Sequence, residues 1–486
     1  MAAIIGSGNR AAHGRAAAAV VVAAIACAAP GDAVLEGTLM PPSGAKASLG
    51  AAVALGGDWA AVGGARDTDI GLDDGQVHFY ERHGGEWMLN GEIAHPRGDR
   101  HAFFGAAIAA DGDRLIVGAP LDGAVGWDAG AAFVLRRSSP GPDSNEAPPF
   151  VIEADLRRGH PEAGDNFGAA VAISDSMAAI GSPRADAGGL DAGAVDLFER
   201  DGAVWAGLGK VNAPILAGTS SAGGRFGSSV ALGANLLVVG APYLDRAGIN
   251  SGCAFVFQRR NGGFSLEMAL CSPTDAPQDW AGSAVTCEGD TIVVGAPGDE
   301  IRNRRGSVRV WERVAHPNDS ARPWRLAQTI SSADAHTAQR RTPPQNEFFG
   351  SSVSLRDGFL VIGAPGAADA GESSGAAYIF RHDGQKWRFL ARLAPSHAQE
   401  EDHIGSRVAT AGGRALIGVG GNPEATPGPG RAYAYRFLQP ADAWDDSVAL
   451  VDGTRLHLDE RGTRSPVGAG AQTVPASGRD RPLAPV

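Results

Sequence analysis

Residues 226–242 read Phe-Gly-Ser-Ser-Val-Ala-Leu-Gly-Ala-Asn-Leu-Leu-Val-Val-Gly-Ala-Pro. Two short aliphatic runs lie on either side of a Gly-Ala-Asn turn, and this pattern predicts a β-hairpin. One glycine precedes the first run, and a second glycine, thirteen residues later, follows the second run. Because proline cannot donate to a strand ladder, the closing Gly-Ala-Pro predicts that the hairpin ends there.

The same hairpin recurs along the chain, which is typical of a repeat protein. Its first glycine follows an apolar residue at Leu49-Gly50, Phe104-Gly105, Phe167-Gly168, Phe226-Gly227, Ala281-Gly282, Phe349-Gly350 and Ile404-Gly405. Its second glycine always lies thirteen residues further on, at Gly63, Gly118, Gly181, Gly240, Gly295, Gly363 and Gly418. A third glycine follows after eleven or twelve residues, at Gly75, Gly130, Gly193, Gly252, Gly306, Gly375 and Gly430. The chain therefore contains seven related units, beginning near 49, 104, 167, 226, 281, 349 and 404.

Each unit has the pattern of four strands. After the hairpin and the third glycine comes an alternating strand, and then a fourth strand that begins with an aromatic residue and has an apolar residue six positions on. These pairs are Trp87/Ile93, Phe150/Leu156, Trp205/Val211, Phe264/Leu270, Trp324/Ile330, Trp387/Leu393 and Trp444/Leu450. An even spacing predicts that both members lie on one face of the strand. Seven units of four strands predict an all-β fold, a seven-bladed β-propeller of four-stranded antiparallel blades.

Composition excludes several other classes. The 486 residues include 69 glycines without a Gly-x-y period, and 44% of the chain is hydrophobic, so neither collagen nor a wholly disordered chain fits. Glycine at this density also disfavours helices. The net charge is −12 and only three lysines are present, so no nucleic-acid partner is expected.

The ends of the chain differ from the repeats. Residues 1–33 have a charged start, the apolar run 16–29 and small residues before Pro30, which predicts a secretory signal peptide. An uncleaved anchor and a lipoprotein signal with lipid attached at Cys27 are the alternatives; no other segment is apolar enough to span a membrane. The propeller is assigned to 34–451, and the polar, Pro/Gly-rich residues 452–486 are predicted to be a disordered tail. We expect a secreted or cell-surface protein, and a monomer.

Two segments compete to complete the seventh blade. The segment 444–450 follows the usual spacing, yet 34–39 also resembles a fourth strand. We expect the C-terminal segment to pair with 431–437 and the N-terminal segment to pack beside it or act as a clasp.

The Phe-Gly and Gly-Ala-Pro elements resemble FG-GAP repeats, which occur in the integrin α-chain propeller and in many secreted bacterial proteins. The resemblance covers roughly residues 34–450 and implies a seven-bladed propeller that serves as an extracellular recognition module. Integrin-type repeats often carry an Asp-x-Asp-x-Asp-Gly calcium loop between the two elements. Here the thirteen-residue interval holds only a tight turn, so those calcium sites do not carry over.

Acidic residues recur between the second and third strands of the first four units. They are Asp67, Asp69, Asp73 and Asp74, then Asp122 and Asp128, Asp186 and Asp191, and Asp245 with Asn250. Carboxylate oxygens are calcium ligands, so Asp67, Asp69 and Asp73 are candidate metal residues. The alternative is that these side chains bond to the backbone of their own loops, and repetition in several blades favours it. No other cofactor is expected.

A basic cluster is the candidate ligand site. It consists of Arg302, Arg304 and Arg305, joined by Arg340 and Arg341 from the insertion 331–347. Arginine forks could hold carboxylate, sulfate or uronate groups, although solvated loop charges are the alternative. Cys253 and Cys271 flank a Gly-Gly turn and are a candidate disulfide; the alternative is that they are small buried residues.

Residues 371–375 match the Gly-x-Ser-x-Gly motif, but that motif needs a strand before it and a helix after it, whereas this segment joins two predicted strands, so we interpret it as a turn. No other catalytic motif is found, and the blades leave no room for a separate catalytic domain. The leading hypothesis is a non-catalytic module that binds an extracellular protein or glycan through loops on one face. The alternatives are a propeller hydrolase or lyase acting on polysaccharide through its acidic loops, and a purely structural envelope protein. Two buried carboxylates with raised pKa near the central channel would favour the enzyme.

Overall fold

A computed structural model describes residues 33–42, 49–65, 74–138, 149–216, 219–272, 274–299, 305–314, 323–339, 345–368, 370–420 and 430–437, and the backbone of 449–451, 454–458 and 464–466. The first strand, β1 (Ala33–Leu39), is separate in sequence from the blade that follows it. Seven four-stranded antiparallel sheets then account for the repeats, which confirms the seven-bladed propeller.

The strands of each blade, from the axis outward, follow the chain. Blade 1 has β2 (Leu49–Leu55), β3 (Trp59–Gly64), β4 (Gln76–His83) and β5 (Glu86–Ala94). Blade 2 has β6 (Ala107–Asp111), β7 (Arg114–Ala119), β8 (Ala131–Arg137) and β9 (Phe150–Leu156). Blade 3 has β10 (Ala170–Ser174), β11 (Met177–Ser182), β12 (Ala194–Asp201) and β13 (Val204–Asn212). Blade 4 has β14 (Ser229–Leu232), β15 (Leu236–Ala241), β16 (Cys253–Arg260) and β17 (Gly263–Leu270).

The remaining blades follow the same order. Blade 5 has β18 (Ala284–Glu288), β19 (Thr291–Ala296), β20 (Ser307–Arg313) and β21 (Trp324–Ser331), and the short helix α1 (Ser332–Ala338) comes after it. Blade 6 has β22 (Ser352–Arg356), β23 (Phe359–Ala364), β24 (Ala376–His382) and β25 (Trp387–Leu393). Blade 7 has β26 (Ile404–Ala411), β27 (Arg414–Val419) and β28 (Ala432–Phe437) from this part of the chain.

Backbone geometry explains the glycine spacing. In blade 3 the N–H of Gly168 donates to the carbonyl of Gly181 at 3.0 Å, and the equivalent bond forms in blades 2, 4, 5 and 6. The interval of thirteen residues is therefore the length of the first hairpin. A Cβ on Gly181 would collide with the carbonyl of Gly227 in the next blade, and a Cβ on Gly193 would collide with that of Phe226. Glycine is needed because neighbouring blades approach backbone to backbone at these points.

The core lies between the blades. Buried apolar residues form seven clusters, one for each pair of neighbouring blades around the ring. The Phe-Gly phenylalanines enter these clusters; Phe226, for example, is fully buried and lies edge-on to Phe255 and Phe257, with ring centroids 5.8 and 5.9 Å away. Each blade thus depends on both neighbours to bury its faces.

The sequence predicts that the aromatic residue and the apolar residue of each fourth strand lie on the same face of that strand, and this prediction is wrong. In blade 3, Trp205 packs into the cluster shared with blade 2, whereas Val211 packs into the cluster shared with blade 4. Trp387 and Leu393 are divided between two interfaces in the same way. The reason is a bulge in every fourth strand, which shifts the register with the third strand by one residue. One extra residue reverses the alternation, so the aromatic residue and its partner face opposite neighbours.

The expected ring closure is also wrong. It is β1 that forms the fourth strand of blade 7, pairing with β28 from Ala33↔Phe437 to Leu39↔Ala432 and carrying the same bulge. The alternative segment was 444–450. Residues 444–448 lie outside the described part of the chain, and Leu450 pairs with Arg455 in a separate sheet.

Side chains explain why the N-terminal strand takes this place. Leu39 is 1% exposed in the cluster between blades 7 and 1. Glu36 accepts hydrogen bonds from Arg82 at 3.1 Å and from Arg414 at 2.8 Å, so its carboxylate ties blade 7 to blade 1. Glu153 and Glu267 stand at the equivalent position, three residues before the last apolar residue of β9 and β17. Glu153 accepts bonds from Arg114 of its own blade and Arg200 of the next blade, and Glu267 accepts one from Arg313 of the next blade.

A small separate sheet follows the propeller. Its strands are β29 (Ala449–Val451), β30 (Thr454–Leu458) and β31 (Arg464–Pro466), paired in that order. Two of them fall within 452–486, where the sequence predicts no fixed structure. The only helix in the described residues is too short to cross a bilayer. The predicted signal peptide lies outside those residues, apart from Ala33.

Candidate functional site

One face of the propeller carries the loops that join second to third strands and the connections that enter the next blade. We call it the loop face; in blades 2 to 5 it comprises loops 120–130, 183–193 and 242–252 and connections 157–169, 213–228 and 271–283. Each loop is bonded to the following connection. The carbonyls of Trp127, Leu190 and Ile249 accept backbone N–H bonds from Gly164, Gly223 and Gln278 at 2.9, 2.8 and 2.8 Å. The loops are therefore held by backbone ladders that cross from one blade to the next.

The recurring loop aspartates of blades 3 and 4 bond to their own backbone. Asp186 accepts the N–H of Asp191 at 2.9 Å, and Asp245 accepts the N–H of Asn250 at 2.7 Å. Asp128, Asp191 and Asn250 have φ of 49–56°, a conformation that Asp and Asn tolerate better than most residues. The described residues contain no group of three or more His, Cys, Asp or Glu that could hold a metal ion. Asp67, Asp69 and Asp73 lie outside the described residues.

Two of the loop aspartates are buried: Asp74 is 4% exposed, and Asp122 is completely buried. The Asp122 carboxylate is 3.0 Å from His95 Nε2 and accepts two bonds from Arg157, at 2.8 and 3.1 Å, and one from Arg97 at 2.5 Å. Since His95 Nδ1 accepts the N–H of Asp99, the Nε2 proton points at Asp122. Burial would raise the pKa of Asp122, but the bonds from His95 and the Ala124 N–H and the charge of Arg97 lower it overall.

At the junction of blades 4 and 5 the charges are reversed: a buried base is surrounded by acids, whereas Asp122 is an acid surrounded by bases. Arg309 is 1% exposed, and its guanidinium is 2.6 Å from Asp275, 3.3 Å from Asp279 and 3.5 Å from Asp299. Burial raises the pKa of Asp275 to about 6, despite the opposing charge of Arg309, and raises that of Asp279 as well. Both side chains are at most 1% exposed and neither lines the axial cavity, so this pair is closed to a substrate.

An acid three residues before the first glycine is a feature that the sequence analysis missed. Asp165, Asp279, Glu347 and Asp402 occupy this position in blades 3, 5, 6 and 7, and all are buried. Each contacts a base on its own blade or connection, as in the Asp402–Arg431 pair at 2.7 Å and the Glu347–His336 pair at 2.8 Å. Their shared offset from the Phe-Gly element is the signal that would have found them.

The predicted arginine cluster cannot be assembled from the described residues. Arg302, Arg304, Arg340 and Arg341 lie outside them. Arg305 is half-buried, and its carbonyl accepts the N–H of Phe349 at 2.9 Å, so its backbone belongs to the blade junction.

Large apolar side chains are exposed on the loop face instead. Trp127, Leu190 and Ile249 are 80%, 74% and 67% exposed. They occupy one repeat position, nine residues after the second glycine, in three consecutive blades. The glycine just before each of them lies close to the following connection; a Cβ on Gly248, for instance, would be 2.5 Å from Pro277. The backbone at each of these glycines packs against the connection, and the side chain of the next residue is exposed to solvent.

The axial cavity is a second concave feature. Its volume is about 520 Å³, and residues of the seven inner strands and their turns line it. At the end away from the loop face, the guanidinium of Arg356 lies 3.8 Å from Asp111 and 3.9 Å from Glu288, which belong to blades 2 and 5. These ion pairs link blade 6 to blades 2 and 5 across that end of the axial cavity.

The two candidate cysteines lie side by side on neighbouring strands of blade 4. Cys253, on β16, and Cys271, just after β17, are joined by a disulfide with a Cα–Cα distance of 5.1 Å. Cys287 is the free cysteine among the described residues, and burial raises the pKa of its thiol to about 12. Its thiol is therefore unreactive at neutral pH.

Seven four-stranded blades around one cavity define the class as a seven-bladed β-propeller. The family model described as FG-GAP repeat matches residues 87–135, 153–198, 211–257 and 344–380. The chain thus carries FG-GAP repeats in four places, as its Phe-Gly and Gly-Ala-Pro elements predict. The first two matches run from the fourth strand of one blade to the third strand of the next, so the sequence unit is offset by one strand from the structural blade.

Among solved structures, the chain is similar to that of a Bacteroides uniformis protein named as a candidate 6-phosphogluconolactonase. The two share 8% identity over 72% of this chain and 86% of the other, with a TM-score of 0.45. At this level the similarity carries no argument about activity. No curated protein matches the sequence.

Proposed function

We propose that this propeller is a non-catalytic recognition module that binds an extracellular protein or glycan through its loop face. The observation that carries the proposal is the exposure of Trp127, Leu190 and Ile249 on loops whose backbones are bonded to the next blade. Large apolar side chains exposed at one position of three successive blades, rather than scattered singly, indicate an interaction surface. A pre-organised backbone lowers the ordering cost of binding.

The proposed location is the cell exterior. FG-GAP repeats are typical of extracellular proteins, and the Cys253–Cys271 disulfide suits an oxidising compartment. We expect residues 1–33 to direct export, with lipid attachment at Cys27 as the alternative route to the surface.

A polysaccharide hydrolase or lyase is the second candidate, because Asp275 and Asp279 are neighbouring carboxylates with raised pKa. Their contacts with Arg309 and their burial argue against it. Release of reducing ends or unsaturated sugars from a polysaccharide panel, abolished in Asp275→Asn, would favour catalysis over recognition. A purely structural envelope protein would bind no ligand at all.

The proposal can be tested by blocking one face at a time. In a Cys287→Ala background, Ala247→Cys places a thiol on the loop face and Asp201→Cys places one on the β12–β13 turn at the opposite face; both native residues are exposed. Each variant is coupled to a polyethylene glycol maleimide and applied to cell-surface extracts and a glycan array. We expect binding to be lost only in the coupled Ala247→Cys protein. Equal binding by both coupled proteins, or no binding by the uncoupled ones, would contradict the proposal.

A further inference from the structure

Blades 2 to 4 of the loop face combine exposed apolar side chains with arginines. The apolar part is Trp127, Leu190 and Ile249, which stand at one repeat position and are 67–80% exposed. The basic part is Arg184, Arg225 and Arg246, which come from the loops of blades 3 and 4 and the connection between them. We call these six residues the apolar–arginine patch.

The arginines are placed to receive an anion. Arg184 and Arg246 are exposed, and within the described part of the chain no carboxylate lies within ion-pair distance of them or of Arg225. Arg246 is near enough to Asp275 for its charge to lower the pKa of that carboxyl, but it makes no direct contact with it. The guanidinium of Arg225 lies over the Tyr243 ring, 5.0 Å from its centroid, which orients the group. Among the described residues, no side chain or carbonyl accepts a hydrogen bond from this guanidinium. The nearby Asp186 and Asp245 accept N–H bonds of their own loops.

The backbone holds the two parts of the patch together. The Leu190 carbonyl accepts the Gly223 N–H at 2.8 Å, and the Asp191 carbonyl accepts the Arg225 N–H at 3.1 Å. Leu190 and Arg225 therefore sit on adjacent, directly bonded segments. The same ladder joins Trp127 to the connection before blade 3 and Ile249 to the connection before blade 5.

We infer that the patch binds an acidic polypeptide segment in which Asp or Glu residues alternate with apolar side chains. The arginines favour a partner that carries carboxylates, because a guanidinium group can donate two parallel hydrogen bonds to one carboxylate. A polypeptide fits better than a glycan because two of the three exposed side chains are branched aliphatics, which present no flat ring face for a sugar. The three apolar positions lie on successive blades, so the partner must be an extended segment that crosses two blade boundaries. This inference rests on the proposed recognition function and names its partner class.

The probe is a phage-displayed library of random peptides selected on the intact protein, followed by synthesis of the enriched sequences. We expect enriched peptides to pair acidic with apolar residues, and to bind about tenfold less tightly when their Asp and Glu are replaced by Asn and Gln. Polyglutamate and alginate, which supply carboxylates without apolar side chains, are measured alongside. Enrichment of sequences without acids, no enrichment, or equal binding of alginate would overturn the inference.

Two triple variants locate the site. Trp127→Ser/Leu190→Ser/Ile249→Ser and Arg184→Gln/Arg225→Gln/Arg246→Gln should each weaken peptide binding at least about tenfold. Val204→Ser and Arg260→Gln are matched controls, since both residues are exposed and lie beside turns between third and fourth strands, at the face opposite the loop face. Unchanged melting temperatures show that the variants are folded. If ligand capture is blocked by the coupled Ala247→Cys protein but unaffected in both triple variants, the recognition function stands and the patch assignment fails.

Discussion

Two junctions between blades contain buried charge in opposite arrangements. Between blades 1 and 2 a carboxylate, Asp122, is surrounded by one histidine and two arginines. Between blades 4 and 5 an arginine, Arg309, is surrounded by three aspartates. The pKa of Asp122 is lowered, whereas that of Asp275 is raised to about 6.

The two junctions use the same places in the repeat. Asp122 and Asp299 both lie four residues after a second glycine, and Phe133 and Arg309 both lie three residues after a third glycine. In blade 2 the ring of Phe133 lies under Arg97, at 5.3 Å, so an apolar residue supports the bases. In blade 5 the guanidinium of Arg309 occupies the place of the Phe133 ring, and three aspartates surround it. In these two blades the repeat therefore determines where charge is buried, and the residue three positions after the third glycine decides its sign.

The largest expected effect comes from removing the central base. Arg309→Met should destabilise the protein by roughly 3–5 kcal/mol, because it leaves three carboxylates without a buried partner. Denaturant unfolding at pH 7 measures the loss, with the exposed Arg325→Met as control. The loss should shrink at acidic pH as the aspartates become protonated; a pH-independent loss would contradict the electrostatic explanation.

Removing the central acid should cost less. Asp122→Asn leaves His95, Arg97 and Arg157 without their carboxylate, but the two arginine side chains are 35% and 19% exposed and can be partly hydrated. We expect a destabilisation of about 1–3 kcal/mol. Asp186→Asn, on an exposed loop, provides the control. A destabilisation larger than that of Arg309→Met would contradict the expected order of the two effects.

The two junctions should have opposite pH dependence. The folded-state pKa of Asp275 is above its unfolded value of 3.8, so folding takes up a proton, and its contribution is complete below pH 4 and lost as pH rises through about 6. From pH 4 to 7, wild type should lose about 1–3 kcal/mol relative to Asp275→Asn. For Asp122 the pKa is lowered, so its contribution is present above pH 4 and is lost on acidification below that value. Unfolding free energies of wild type and each variant across pH 3–7 test both signs, and parallel curves for Asp275→Asn and wild type would contradict the first.

The smallest effect is expected where the charge is exposed. Asp186→Ala removes one acceptor for the Asp191 N–H and should cost about 0.5–1.5 kcal/mol, because water replaces part of the bond. Thermal unfolding measures it, and Asp186→Asn, which keeps an acceptor, should restore most of the loss. A larger loss, or a rise in wild-type melting temperature on adding calcium that Asp186→Ala abolishes, would indicate a metal site in place of a backbone bond.

The fold could be predicted because its determinants are local and repeated. Gly181 and Gly193 are dictated by backbone contacts with the next blade, so a glycine occurs at both repeat positions in all seven units. The fourth strand was misjudged because an even spacing says nothing about a bulge between the two residues. Ring closure was misjudged because two terminal segments have the same pattern, and only the contacts of Glu36 and Leu39 distinguish them.

The site could be predicted only in part. The loop aspartates were found by repetition. The buried Asp122 lies four residues after its second glycine and the exposed Asp186 lies five after its own, but a one-residue difference in a loop does not reveal which side chain is buried. The group around Arg309 combines a connection, a loop and a strand of blade 5, and such a set has no sequence signature. The exposed Trp127, Leu190 and Ile249 share an offset, yet an apolar residue in a loop can equally be buried.

The placement of β1 has a consequence for synthesis of the chain. The first strand of the propeller to leave the ribosome is the last to find its partner, since Ala33–Leu39 pairs with Ala432–Phe437. Until β28 has been made, β1 has no partner in the ring, and an unpaired strand can pair with another chain. Loss of β1 would leave β28 as an open outer edge of blade 7, so we expect a protein without Ala33–Leu39 to aggregate.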